Sequence, residues 1–501
     1  MTRIVLAIHS RKRSREWTGR VLTAVLALFG TGAAMANGNN VLGAWLSPVN
    51  DNWPLVAIHA VLTPDGRVLT YGSNNAGAAT QQTGLFIYDV WDPAEGLSGG
   101  HITLNNTALT DIFCSAQVLL PVSGDVFLAG GDIWDGTGVT NRGNNNTNLF
   151  RYTDDALFRG KNMNRPRWYA TTTVLANGEI YVQGGKDGNK DAEIRDLNGN
   201  FRKLTGVLTG SVLNYWYPRN YLAPDGRIFG YDKNGLMYYV TTTGLGTLQM
   251  VGAMDYRFAG AAGSSVLYLP GKILVLSGKN KRAAIIDING PSPQITETAS
   301  MSSTRKWVTA TILADGRVLA TGGSAQDNEL VGVNNKAEIW DPGTQTWAVG
   351  REGSRPRLYH STALLLPNAS VLVAGGGTPG PVTNLHAEIY YPPYLYDSSG
   401  NFAARPAIAF APDTLNIGET FQMGADGTGV SRVTLVKTGA VTHGVNMDQR
   451  FLELAFTETD GTLFVNTPQD PDVAPPGYYL LFLFDHQDVP SVGKIVRMNV
   501  D

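Results

Sequence analysis

The chain has a single cysteine, Cys114, in the stretch Asp111-Ile112-Phe113-Cys114-Ser115. With no disulfide partner, this thiol is either a small buried hydrophobe or a reactive group. Tyr359 and His360 are adjacent, and His443 stands in the turn-like stretch from Val441 to Arg450. Together with Tyr169 these residues offer two imidazoles, two phenolates and an open position for water. Such a tetragonal N,O set suits Cu(II) better than Mg or Ca, which want carboxylates, or structural Zn, which wants thiolates. Adjacent strand residues point to opposite faces. Tyr359 and His360 can therefore reach one metal only where a strand begins and the backbone is irregular. His59, His101, His386 and His486 lack companions and read as ordinary structural or surface residues, while His9 lies in the leader.

These residues must be positioned by repeats. Seven related hairpins run along the chain: 57–72, 114–131, 169–185, 217–231, 262–278, 308–323 and 359–377. Each has an apolar strand, a turn built on Asp-Gly or its substitutes, and a second apolar strand. Asp-Gly between apolar runs is a strong hairpin signal, because both turn residues tolerate positive φ. Turn centres lie roughly 45 to 58 residues apart, the period of a four-stranded propeller blade of the kelch kind. Outer-strand cues fall between them, as in Ala192-Glu193-Ile194, Ala337-Glu338-Ile339 and Ala387-Glu388-Ile389. Registered on their turns, Cys114, Tyr169, Tyr217 and Tyr359 occupy nearly the same place, at the start of the first strand. First strands line the axis of a propeller, so a thiol and phenols from neighbouring blades face one axial site.

The expected fold is all-β, a seven-bladed kelch-type propeller over 42–400 followed by an immunoglobulin-like β-sandwich over 403–501. In the last hundred residues the hairpin signature gives way to apolar-polar alternation, as in Arg432-Val433-Thr434-Leu435-Val436. Charged residues are 16% of the chain and glycines number 58, a balance that favours short strands and tight turns. The formal net charge of −3 gives no reason to propose nucleic acid or an anionic membrane as partner. Arg11 to Arg20, an apolar run and Ala34-Met35-Ala36 describe a secretory signal peptide over 1–36. The chain is thus expected outside the cytoplasm, extracellular or periplasmic, with an uncleaved leader as the anchored alternative.

At these residues the chain resembles the copper radical oxidases, the family of galactose oxidase and glyoxal oxidase. The motifs are Phe113-Cys114-Ser115, Arg167-Trp168-Tyr169, Arg357-Leu358-Tyr359-His360-Ser361 and Thr442-His443 through Gln449-Arg450. The Arg-Trp-Tyr form is closer to the glyoxal oxidase branch. The resemblance implies a thioether bond between Cys114 and the ring of Tyr169, which makes a radical cofactor from the chain itself. It implies copper held by Tyr169, Tyr359, His360 and His443, with Tyr359 axial and serving as the base. It also implies oxidation of small primary alcohols or hydrated aldehydes by O2, giving aldehydes or acids and hydrogen peroxide, by a monomer. The tryptophan that stacks on the modified tyrosine in galactose oxidase has no evident counterpart, and Trp216, Trp307 and Tyr238 are the stand-ins. A non-catalytic kelch propeller for adhesion or wall assembly is the alternative, and it needs no such ring of Cys, Tyr and His. A propeller hydrolase or lyase should show paired carboxylates or a Ser/His/Asp arrangement about the axis, and neither is evident.

Overall fold

A computed structural model describes residues 38–48, 52–74, 81–426 and 429–499. The leader over 1–36 lies outside the described residues. Among those described, helix is confined to Asn39–Leu42 and two short 3-10 turns, and the rest of the regular structure is β.

Apolar hairpins with tight turns cannot bury both faces alone, so they stack. The described strands form seven antiparallel sets of four. Their first strands are His59–Leu62, Ala116–Leu119, Trp168–Val174, Arg219–Leu222, Ser264–Leu269, Thr309–Ile312 and Ser361–Leu365. Six sets are continuous in sequence, whereas the seventh takes its outer strand, Ala44–Leu46, from near the start of the chain. First strands are buried along their length, as in Thr309–Ile312, while fourth strands such as Thr346–Glu352 are largely exposed. The first strands of sets seven and one touch, as do those of two and three, three and four, five and six, and six and seven.

A repeated polar device locks the entry to three of the sets. Arg167, Arg305 and Arg357 stand just before the first strands of sets three, six and seven, and each pairs with a buried glutamate on its own third strand. The partners are Glu193 at 3.0 Å, Glu338 at 2.8 Å and Glu388 at 3.1 Å. These are the glutamates of the three Ala-Glu-Ile cues. The same guanidinium groups donate to the carbonyls of Gly184, Gly322 and Gly375, at the ends of the second strands. The Gly-Gly pairs also serve close approach between sets. A Cβ on Gly130 of set two would lie 2.1 Å from the Arg167 carbonyl oxygen of set three.

The last hundred residues form two sheets over one shared core that includes Met423, Val433, Leu435, Leu463, Leu481 and Val496. One sheet runs Ala407–Phe410, Thr420–Asp426, Thr462–Asn466, Phe456–Thr459. From the other a hairpin, Ala440–Thr442 and Val445–Leu454, reaches in among the seven sets. Its first strand pairs antiparallel with set one, matching Thr442 to His59, and its second pairs parallel with set five, matching Val445 to Ser265.

Removing one member of a fully buried ion pair strands the other charge, at a cost of about 3–5 kcal/mol. Glu193→Ala should therefore lower the urea midpoint of unfolding far more than Glu179→Ala, a change at an exposed turn hydrogen bond. Equal midpoints for the two variants would contradict the role given to Arg167–Glu193.

Candidate metal centre

The positions where the first strands begin share an unusual backbone. Among the described residues, the Cys, His, Tyr and Trp side chains carried on a positive φ are six. They are Cys114 (56°), Tyr169 (71°), Tyr217 (32°), Trp307 (67°), His360 (69°) and His443 (52°). Left-handed backbone costs a bulky residue of order 1–3 kcal/mol, and it persists only where the surroundings impose it. Main-chain hydrogen bonds impose it here. The Tyr169 N–H donates to the Cys114 carbonyl (3.0 Å), and the Tyr217 N–H donates to that of Tyr169 (2.9 Å).

His443 arrives by a different route. With Gly444 (φ 72°) it forms the two-residue turn of the inserted hairpin, and positive φ at both positions is the type I′ pattern. Its ring lies edge-on to three others, with centroids 4.6 Å from His360, 5.0 Å from Tyr169 and 5.3 Å from Tyr359. Tyr359 and His360 stack at 3.8 Å. The irregular backbone expected at the start of set seven is therefore present, and it turns both neighbours toward one point. The hydroxyls of Tyr169 and Tyr359 are hydrogen-bonded to each other.

Hydrogen bonds assign the imidazole tautomers. His360 Nδ1 lies 2.9 and 2.7 Å from the carbonyl oxygens of Gly377 and Thr378, so it carries the proton. Its Nε2 is bare, buried and without a hydrogen-bond partner. The Thr442 hydroxyl donates to the Ile58 carbonyl and so accepts from His443 Nδ1 at 2.6 Å, which leaves His443 Nε2 unprotonated as well. An orphaned buried nitrogen is costly unless something takes its lone pair. His360 Nε2, bare, and His443 Nε2, which has only the Cys114 sulfur at 3.5 Å, together with two phenols fit a divalent copper.

His59 was missed by sequence reasoning, which treated it as ordinary. It lies at the base of this group, its ligating nitrogen within 4.8 Å of those of Cys114 and His443. Both of its nitrogens are spent, since Nε2 accepts from the Cys114 N–H at 3.1 Å and Nδ1 meets Gln117 Oε1 at 2.6 Å. His59 therefore holds Cys114 in place and is not free to ligate. Trp216 stacks on Tyr169 with centroids 4.2 Å apart and planes 26° apart, so it is the stacking residue among the three stand-ins. Trp307 tilts over Tyr359 at 4.5 Å, whereas Tyr238 bonds Asn220 and Gln183 away from the site.

Burial sets the electrostatics. Desolvation lowers His360 to about 4 and His59 to about 3, and it pushes His443 well below its ordinary value, with the neighbouring imidazoles adding to the effect. It raises Tyr169, Tyr359 and Tyr217, and likewise the Cys114 thiol. Without a cation the whole group is neutral. Tyr359 alone of the four proposed ligands is not fully buried, so what solvent reaches the site does so on its side.

A histidine kept neutral in the fold stabilises it above its unfolded pKa and loses that contribution as pH falls. The unfolded chain takes up a proton below about pH 6.5, while the folded chain refuses one until about pH 4 at His360 and about pH 3 at His59. Stability of the metal-free protein should fall steadily from pH 6.5 to pH 3. His59→Gln should flatten part of that slope in urea titrations at successive pH values.

The chain is similar to known proteins along most of its length. The galactose oxidase-like early set domain family matches residues 405–498. A galactose oxidase of Gibberella zeae is 27% identical over 504 residues, covering 91% of this chain and 71% of the relative. An aldehyde oxidase GLOX of Vitis pseudoreticulata is 26% identical over 438 residues, covering 78% and 82%. A solved fungal alcohol oxidase of the AA5 family, in complex with copper, shares the fold with a TM-score of 0.80. That structure is 23% identical and covers 91% of this chain and 100% of its own.

Proposed function

With homologues named galactose oxidase and aldehyde oxidase as the premise, we propose that this chain is a secreted copper radical oxidase. It would oxidise primary alcohols or hydrated aldehydes with O2, giving aldehydes or carboxylic acids and hydrogen peroxide. The bare, buried Nε2 of His360, grouped with His443, Tyr169 and Tyr359, is the observation that carries this reading. In this reading the seven strand sets are the blades of a kelch-type propeller over 42–400. The sheets after 403 form an immunoglobulin-like sandwich that lends it His443, and the leader over 1–36 directs export. One chain supplies every site residue, which supports a monomer.

The metal would be held by the Nε2 atoms of His360 and His443 and the oxygens of Tyr169 and Tyr359. When bound, copper supplies a one-electron couple and an open position for an alcohol oxygen. Alcohol oxidation removes two electrons, so a residue must hold the second, and Tyr169 is that residue. Its ring is covered by Trp216, and the Cys114 backbone is fixed by His59 beside it. Formation of the Cys114–Tyr169 thioether removes the thiol hydrogen and one ring hydrogen, which pass to O2 as hydrogen peroxide. Sulfur on the ring makes the phenol easier to oxidise.

Burial raises the phenols so far that neither ionises at neutral pH without a nearby cation. Their mutual hydrogen bond then has one hydroxyl donating and the other accepting. Beside a cation the phenols would ionise, and Tyr359 would then serve as a base within reach of substrate. Being the member not fully buried, Tyr359 takes the alcohol proton where substrate enters.

Intact mass should fall by two hydrogens after copper and O2 treatment, and Cys114→Ser should abolish that loss. A wild-type thiol that stays titratable after such treatment would sink the proposal. Tyr359→Phe should retain the mass loss yet lower kcat for peroxide release by about 10²–10⁴-fold, the usual contribution of a positioned base.

A further inference from the structure

The mouth of the site carries four lysines, three of them set against aromatic rings. Lys186 Nζ lies 5.6 Å over Trp168, which packs on Tyr169, and Lys233 Nζ lies 5.6 Å over Trp216. Lys279 Nζ lies 5.3 Å over the exposed Tyr256. Lys279 and Lys306 together line a cavity of about 230 Å³ whose other walls include Trp307, Asp327 and the backbone of Gly260 to Ala262. Trp307 separates that cavity from Tyr359.

Nearby carboxylates do not neutralise this collar. Asp187 pairs with Arg142 at 2.8 Å and Asp255 pairs with Arg257 at 2.5 Å, whereas Asp327, in the cavity wall, accepts from Trp307 Nε1 at 2.5 Å and keeps its charge, so two ammonium groups there face one carboxylate. Glu329 is the second carboxylate of the Asp327 loop and is exposed. Lys186 donates to the Asn141 carbonyl, and among the described residues none of the four lysines is in an ion pair. A chain of net charge −3 thus holds unpaired ammonium groups around its one candidate reaction site. A cleft with an excess of one sign of charge concentrates ligands of the other.

We propose that the cavity between Lys279, Lys306 and Trp307 is a subsite for an anionic substrate. The substrate would be a small alcohol or aldehyde bearing a carboxylate at the end remote from the oxidised carbon. Lys279 and Lys306 take the carboxylate, the aromatic wall takes the carbon chain, and the reacting end points past Trp307 to Tyr359. This rests on the oxidase reading above.

A matched pair of substrates tests it. With the copper-loaded protein at low salt, peroxide release from 4-oxobutanoate should exceed that from butanal in kcat/KM by about tenfold. The preference should shrink in 0.5 M NaCl as the charges are screened. In the Lys279→Gln/Lys306→Gln double variant the ratio should fall to near one. Lys203→Gln, on an exposed outer strand, should leave it unchanged. A ratio below about twofold in the wild type, or one the double variant retains, overturns the subsite while leaving the oxidase intact. Succinate binding, followed by tryptophan fluorescence, separates the two readings. Lysine-dependent, salt-sensitive binding without any turnover would uphold the subsite and sink the oxidase, whereas no binding would count against the subsite.

Discussion

The structure depends on one turn. His443 and Gly444 cap a hairpin that belongs to the C-terminal sheets yet is hydrogen-bonded as a strand pair into two of the seven sets. The turn tolerates no slip, because side chains alternate in a strand and a shift of one residue would face His443 away. Several contacts fix its register. Gln449 grips both main-chain groups of Ile312 in set six, and Met447 Sδ accepts from the Gln117 N–H in set two and the Thr172 hydroxyl in set three. Ser264 of set five donates to the Gly444 carbonyl at 2.5 Å. The hairpin is therefore a shared joint, and the position of one imidazole reports the alignment of most of the sets around it.

The cost of this arrangement is concentrated where the chemistry is proposed. Left-handed backbone recurs at the starts of sets two, three, four, six and seven, each time under a bulky residue. Nothing in their local sequence favours it. At Tyr169, Trp307 and His360 it is sustained by the joints beneath, where an arginine tied to a buried glutamate sits two or three residues before, and at Cys114 and Tyr217 by hydrogen bonds to His59 and to the Tyr169 carbonyl. The strain and the ion pairs are two ends of one device. A stiff, fully satisfied joint keeps the following residue in a conformation it would otherwise leave.

Much of this was legible in the sequence, because the repeats carry their own ruler. Cys114, Tyr169 and Tyr217 fall where the turn register puts them, and the Gly-Gly and Ala-Glu-Ile cues prove to be the acceptors and counter-ions of the joint arginines. The register misled at set seven. Its turn closes over the same span as that of set one, with the Leu366 N–H donating to the Ser370 carbonyl as Thr63 does to Arg67, and so His360, not Tyr359, takes the left-handed position. His59 escaped notice because it sits two residues past the register position and has no companion in sequence; its partners Cys114 and Gln117 come from another set. Trp216 was ambiguous for a similar reason. It precedes the register position of set four, and only the path of the 210–216 segment shows that its ring lies on Tyr169. Local pattern thus identifies residues that share a repeat position, while residues that act across the joints need the assembled ring.

What reaches the site is decided by different residues from those that form it. Cys114, Tyr169, His360 and His443 are buried almost completely. Access is left on the side of Tyr359, under Trp307 and the loops that follow the second strands. Lys233 and Lys279 lie on such loops, while Lys306, the exposed Tyr256 and the segment Gly260 to Ala262 lie on loops that lead into first strands. The joints fix the reacting residues through buried ion pairs and main-chain bonds, so the loops can change without disturbing them. On physical grounds the type of reaction belongs to the ring, and the choice of substrate to the rim.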